Sequence, residues 1–445
     1  MRFHTARIPL WLLLGALTLA PALVRGQRPA ARPRSEFISY DTREGAETGQ
    51  PARSAYYIPL SGLTAEGNDY SATFEVPFAW LNRDVFLHCE GSRKAFAVLV
   101  NGRPAGTGED SRTPSEFLIS DRLAEGTNTV TLRLLPPGPG ARLEGGLPDD
   151  ARTPFAGSYI YSQPKLRIDD FVISAAPDST RDHGVLEIEL VLSNSYNSAE
   201  KITAGFDIYD PAGKLKDYNI KDMTVAGNST DTMRFRSLVY GAIPNLWSAS
   251  SPRLYRVMLF IRQGGRVVEY VPVQVGFGTT EYADGRILRN GAPIEPVTAR
   301  FNAPDDPAAA LARLRELKKS GVNLLCVDYP QPEWFYTLCD RTGLYVIDRA
   351  NISIAPAENG SRRSMPANDP AWLDRCLQRT EAMFRRSRNH VCIVGWSLGS
   401  PQSGNGYNMY KSYQLLRGLE PSRPVLFPGA GGEWNNDVTL PPARQ

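Results

Sequence analysis

Histidine is scarce in this chain, with four residues in 445, at positions 4, 88, 183 and 390. They stand far apart, so a His-based metal site is not expected. Cysteine is scarce too: Cys89, Cys326, Cys339, Cys376 and Cys392. An odd number cannot pair completely within one exported chain, and none of the five has zinc-ligand spacing. Apolar neighbours such as Phe86, Leu87, Leu324 and Leu325 mark most of them as buried thiols. Charge of one sign is nowhere concentrated. The 50 Lys and Arg nearly balance 47 Asp and Glu, for a formal net charge of +3. That gives no case for nucleic-acid binding. Past the first residues, no apolar stretch is long enough to cross a bilayer.

The first residues are different. Arg2, His4 and Arg7 precede an apolar run from Ile8 to Val24, and the small residues Ala22 and Gly26 follow near its end. This is the pattern of a secretory signal over residues 1–26. A membrane anchor is the alternative, but about 17 apolar residues that include Pro9 and Pro21 are short for a spanning helix. The expectation is an exported protein: periplasmic, outer-membrane-associated or secreted.

What is abundant points to β structure. There are 38 Gly and 35 Pro, and aromatics make up 10%, which suits a turn-rich protein with real cores. Three regions follow the signal. Residues 27–164 carry, after a polar lead-in, short alternating runs such as 71–76, 84–88 and 96–100, the last followed by the hairpin signal Asn101-Gly102. They predict a jelly-roll sandwich. Residues 165–276 repeat the alternation with longer strands, at a spacing that suits an immunoglobulin-like sandwich. Over 277–445 strands alternate with helices, which predicts parallel βα units. Five strands can be read there, starting from 293–298, over about 160 residues, where a full (β/α)₈ barrel takes eight and about 250.

The most informative stretch is the apolar run from Cys392 through Trp396, Ser397, Leu398 and Gly399, which then reaches Ser400 and Pro401. It resembles the acid/base strand of family 2 glycoside hydrolases, the β-galactosidase family. In that family the same Trp-Ser-Leu-Gly is followed by Asn-Glu, and the Glu protonates the leaving sugar. Other matches extend the resemblance over most of the chain after the signal. They are Asp110 to Phe117 behind Asn101-Gly102, Leu246 to Tyr255, Phe335 to Asp340, and Gly343 to Asp348 with Ala350 and Asn351. The resemblance implies a jelly-roll, an immunoglobulin-like sandwich and an incomplete TIM-type barrel.

It also implies where chemistry is missing. Retaining and inverting glycosidases both need two carboxyl groups at the scissile bond. Here Ser400 and Pro401 take the acid/base position, and the nucleophile strand would lie beyond the five that can be read. Arg349 stands where the family has a Glu. Ser353 and Ala355 replace the Glu and His that bind magnesium in β-galactosidases, and neither side chain suits that ion. A sugar-contacting segment of the family's first domain becomes roughly residues 145–149. The resemblance therefore implies a β-galactosidase-like pseudoenzyme with no metal and no cofactor, and with binding as its work. Ligand positions carried over from the family are Asn101, Asp110, Arg112, Asn351 and Trp396; turn chemistry or core packing is the plainer reading of each. Asp328 and Glu433 are the carboxylates that could rebuild a hydrolase site. An open half barrel also exposes strand edges and the apolar residues Ile294, Val297, Val425 and Phe427. A protein partner or self-association is expected to cover them.

Overall fold

The computed structural model describes residues 33–442, apart from 93, 148–151 and 356–364. The signal reading therefore lies outside the described residues.

Alternation in the first region produces two antiparallel sheets. One has five strands, in the order 64–66, 69–76, 126–134, 96–100 and 103–108; the other has four, in the order 57–59, 159–163, 84–89 and 115–118. Along Asp69–Val76, Ala72, Phe74 and Val76 are buried and Thr73 and Glu75 exposed, as a period of two requires. At the Asn101-Gly102 turn both residues take positive φ, 52° and 74°, and Val100 pairs with Arg103. This is the expected two-residue hairpin.

The second region folds into three strands (166–177, 184–194 and 229–239) facing four (200–209, 215–225, 255–263 and 266–275). Ile188, Leu190, Phe206, Phe235 and Leu259 fill the space between the sheets. The polar lead-in is bound to both sandwiches. Tyr40 exchanges backbone hydrogen bonds with Tyr270 at 2.8 and 2.9 Å, and Arg34 pairs with Glu116 at 2.9 Å.

The third region holds a five-stranded parallel sheet, in chain order: Thr298–Arg300, Leu324–Cys326, Tyr345–Arg349, Ile393–Ser397 and Val425–Leu426. Helices Pro307–Lys319, Glu333–Thr342, Leu373–Ser387 and Tyr407–Leu419 lie between them. Asp306 caps the first helix by accepting from the amides of Ala308 and Ala309, and Gly343 ends the second at φ 71°. The first strand begins later than the sequence suggests. Ala292 and Pro293 belong instead to a small antiparallel sheet behind a turn at Asn290-Gly291, and Pro296 has no amide to give to a ladder.

The open edge expected at the fifth strand is covered from within the chain. Asp437 donates its amide to the Val425 carbonyl at 2.8 Å, and its carboxylate accepts from the Val425 amide at 2.8 Å. Asn436 accepts from the Phe427 amide at 2.7 Å. The segment then crosses to the first strand, where the Thr298 hydroxyl donates to the carbonyls of Pro441 and Pro442 at 3.4 and 3.3 Å. Val425, Phe427 and Ile294 are buried, Val297 packs partly buried against the same core, and Val438 and Leu440 join it. Residues 436–442 thus lie along the edge of the fifth strand and reach the first. Their polar side chains make this possible, because they substitute for the backbone groups of a missing neighbour strand.

Candidate ligand site at the barrel mouth

The parallel strands aim their C-terminal ends at a cavity of about 400 Å³, the end where barrels of this kind carry function. Three strand ends supply its charged groups. Arg300 closes the first strand, Asp328 follows the second, and Arg349 closes the third. Asp328 is almost fully consumed. Its Oδ2 accepts from Arg300 Nε at 2.6 Å and Asn302 Nδ2 at 2.7 Å, and its Oδ1 from Arg349 Nη1 at 3.0 Å. Arg349 is mostly buried, and its Nε has no hydrogen-bond partner among the described residues. Burial pulls this guanidinium below its ordinary value, and Asp328 opposes the shift.

Ser400 and Pro401 also line the mouth. The Ser400 amide donates to the Ile352 carbonyl at 2.8 Å, and its hydroxyl lies 3.0 Å from the Ser403 hydroxyl. Pro401 opens a short 3₁₀ turn. Gly399 is needed for the close approach beneath it, since a Cβ there would meet the Ile352 carbonyl oxygen at 2.6 Å. The backbone of the Trp-Ser-Leu-Gly stretch is thus held as a framework, followed by the hydroxyl of Ser400 and the ring of Pro401 and by no carboxyl at those two positions.

The loop after the third strand is taken up by the first sandwich. The Ser353 amide donates to the Leu143 carbonyl and its carbonyl accepts from the Gly146 amide, both at 2.6 Å. Ala355 lies beside Gly145, and Gly146 and Leu147 reach the mouth cavity. A hydroxyl and a methyl group do not fit a magnesium ion, which takes carboxylate and water oxygens.

Of the ligand positions carried over from the family, most serve structure. Asn101 lies at the hairpin turn away from the mouth, where its side chain bonds Arg122, Asn128 and the Thr129 amide. Trp396 is fully buried, with Phe384 against its edge and the Arg423 guanidinium 4.6 Å from its ring centre. Asp110, Arg112 and Asn351 do come together, at the junction between the first sandwich and the barrel. The Asn351 amide donates to Asp110 at 2.6 Å and Glu144 at 3.1 Å. Arg379 pairs with Glu144 at 2.7 Å and donates to the Asn351 carbonyl at 2.6 Å. Burial holds the Glu144 carboxyl above its ordinary range, and Arg379 opposes the shift. Arg112 is buried, its guanidinium 4.9 Å from the Tyr329 ring centre. Of the two spare carboxylates, Asp328 stands in the mouth. Glu433 is exposed, takes a hydrogen bond from Tyr410, and is not part of the cavity wall. Sequence reasoning missed Arg300, although its place at a strand end beside Asp328 was a usable signal.

Comparison with known proteins decides the family. The sugar binding domain of glycosyl hydrolases family 2 matches residues 57–162, the central family 2 domain matches 166–277, and the family's TIM barrel domain matches 311–441. The chain belongs to glycosyl hydrolase family 2. This family 2 chain is 30% identical over 417 residues to a β-galactosidase of Psychromonas ingrahamii, and 30% identical over 385 residues to one of Vibrio cholerae. The alignments cover 87% and 84% of the chain but 39% and 37% of those relatives, so it spans well under half of their length. Among solved structures it is similar to a putative β-galactosidase from Bacteroides fragilis, with a TM-score of 0.68 and 18% identity over 84% of this chain and 57% of that one. A family 2 β-glucuronidase gives a TM-score of 0.69 and 16% identity over 82% of this chain and 40% of that one. At such identities the likeness establishes the fold of the family 2 chain.

Proposed function

We propose that this protein is a non-catalytic member of family 2 that binds a carbohydrate at the barrel mouth. One observation carries the reading. The acid/base position is Ser400-Pro401, and the only carboxylate among the described residues of the cavity wall, Asp328, accepts hydrogen bonds from two arginines and an asparagine. Neither Ser nor Pro donates a proton near neutral pH. The oxygens of that carboxylate are engaged by three donors, and one carboxylate does not make the pair that glycosidases use. The cavity's size and its Ser353, Ser397 and Ser400 hydroxyls suit a small polar ligand. We also propose export, on the strength of the charged, apolar and small residues of positions 1–26.

The second reading is a β-galactosidase-type hydrolase, with a site rebuilt around Asp328 or completed by another chain. The presence of Asp328 at the mouth favours it. Assay of the purified chain on aryl β-galactosides separates the two. Background rates are expected, while turnover that Asp328→Ala abolishes would establish the hydrolase instead.

A further inference from the structure

We propose that Trp434 is a stacking platform at the rim of the mouth, and that the ligand is an oligosaccharide with one unit in the mouth and another lying on this indole. The inference rests on the reading that the mouth binds carbohydrate and extends it to a chain of sugars. Trp434 stands in the loop after the fifth strand, two residues before Asn436 of the cavity wall. Their Cα atoms are therefore within about 7 Å of each other. The indole packs on the first turns of helix Tyr407–Leu419, which follows the loop whose Ser400, Pro401 and Gln402 also line the mouth. Both elements place Trp434 at the C-terminal end of the sheet.

Exposure and support together set its role. The Tyr410 ring stacks on the indole, with 5.2 Å between centres and 13° between planes, and the Tyr413 ring meets it at 90° and 5.3 Å. Trp434 is nevertheless 57% exposed, while the other described tryptophans are buried or half-buried. A ring covered on one face keeps that much exposure when its other face is open to water. The side chain is also held in place. Tyr410 donates to Glu433, and Tyr413 donates to Asp437 at 2.6 Å. Buried Asn435 exchanges side-chain amide hydrogen bonds with Asn405 at 3.0 and 2.9 Å. The residues on either side of Trp434 are thus pinned. A tryptophan that only anchored the loop would gain from burying both faces, since apolar area left in water is unfavourable. An open, fixed aromatic face suits a pyranose. The ring face carries negative charge density, and the C–H groups on one side of the sugar are polarised positive by their oxygens. Exposed Tyr407, one turn before Tyr410, and exposed Glu433 offer a hydroxyl and a carboxylate for the sugar's hydroxyls. Two exposed aromatic rings are too little area for a stable protein interface, which buries roughly 800 Å² on each partner.

The test combines acrylamide quenching of tryptophan fluorescence with calorimetric titration. It uses the full chain, galactose, and β-1,4-linked galactose oligomers of two to four units. Trp434→Ala, at an exposed side chain, is expected to fold, and the difference between the two proteins identifies the quenching that belongs to Trp434. The longest oligomer is expected to bind at least tenfold more tightly than galactose and to shield Trp434 from acrylamide. Trp434→Ala should lose that advantage and keep the affinity for galactose. Trp434→Tyr, which keeps an aromatic face, should retain most of the advantage. Oligomers that bind no more tightly than galactose, or that leave Trp434 open to the quencher, would overturn the inference and leave carbohydrate binding at the mouth standing. Shielding that grows with protein concentration in the absence of sugar would assign the indole to a second copy and also overturn it. Oligomer binding that Trp434→Ala abolishes, with galactose unbound by either protein, would keep the platform and overturn the reading of the mouth. Failure of every sugar to bind would overturn both.

Discussion

Asn351 and Asp110 are 241 residues apart in the chain, yet the amide of one lies 2.6 Å from the carboxylate of the other. This contact joins the loop after the third barrel strand to the first sandwich. The same amide also reaches Glu144. A residue that the family resemblance marks as a ligand contact is here the pin between two domains.

Replacing that pin with an apolar residue of similar size should therefore be costly. Asn351→Leu removes the donor shared by two partly buried carboxylates, at about 2–3 kcal/mol. Urea denaturation measures it. A loss within ±0.5 kcal/mol would show that the junction is held elsewhere.

The cover over the fifth strand can be tested by burying a charge in it. Val438 is 3% exposed and packs in the barrel core. Val438→Asp should cost at least ~3 kcal/mol and uncover Val425 and Phe427. The variant should self-associate in sedimentation velocity runs while the sandwiches keep their β spectrum. Thr439→Asp, one residue on and exposed, should change little. Equal behaviour of the two variants would mean that the segment contributes no essential cover.

His88 gives a pH dependence with a definite sign. It is 2% exposed and stacks on Tyr159, with Glu36, Glu90 and Glu116 3.6, 3.2 and 3.3 Å from its ring nitrogens. Burial alone lowers its pKa, but the three carboxylates outweigh burial and push it up to about 10. Arg34 and Arg386 pair with Glu116 and Glu36 and stay charged throughout. The folded pKa lies above the unfolded one, so the imidazolium's contribution is complete below about pH 6.5 and is lost as pH rises through about 10. The melting temperature should fall across that window, and His88→Gln should flatten this part of the curve. Parallel curves for the two proteins would refute the assignment.

Magnesium should leave the protein unmoved. Ser353 and Ala355 replace the family's ligands, and the Ser353 backbone is committed to Leu143 and Gly146. The melting temperature is expected to be the same with millimolar magnesium as with a chelator. A saturable rise at micromolar magnesium would reveal a set of ligands elsewhere.

Much of the architecture was legible in the sequence because its signals are local. Period-two alternation around Phe74, the turn at Asn101-Gly102, the Asp306 cap and the Gly343 stop each act within a few residues. The site was legible only in part. Ser400-Pro401 could be read as a loss from chain order alone. The partners of Arg349 could not, because Arg300 and Asp328 reach it through pairing of parallel strands 21 and more residues apart. Asn101 and Trp396 were read as possible contacts because a motif fixes residue type and not direction. The role of residues 436–442 was hidden for a different reason. They cover the sheet edge through Asn436 and Asp437 side chains, which carry no strand periodicity.

The segment that crosses the sheet also sets an order of events at the ribosome. Each sandwich has all its strands once residues 163 and 275 have been made, so both can mature while the chain is still growing. The parallel sheet cannot, because its fifth strand waits for Asp437 and its first for Pro441 and Pro442. Until those residues emerge, Val425, Phe427 and Ile294 lack their cover and leave an aggregation hazard on the nascent chain. Chaperone dependence should accordingly track translation of residues 425–442 more than that of either sandwich.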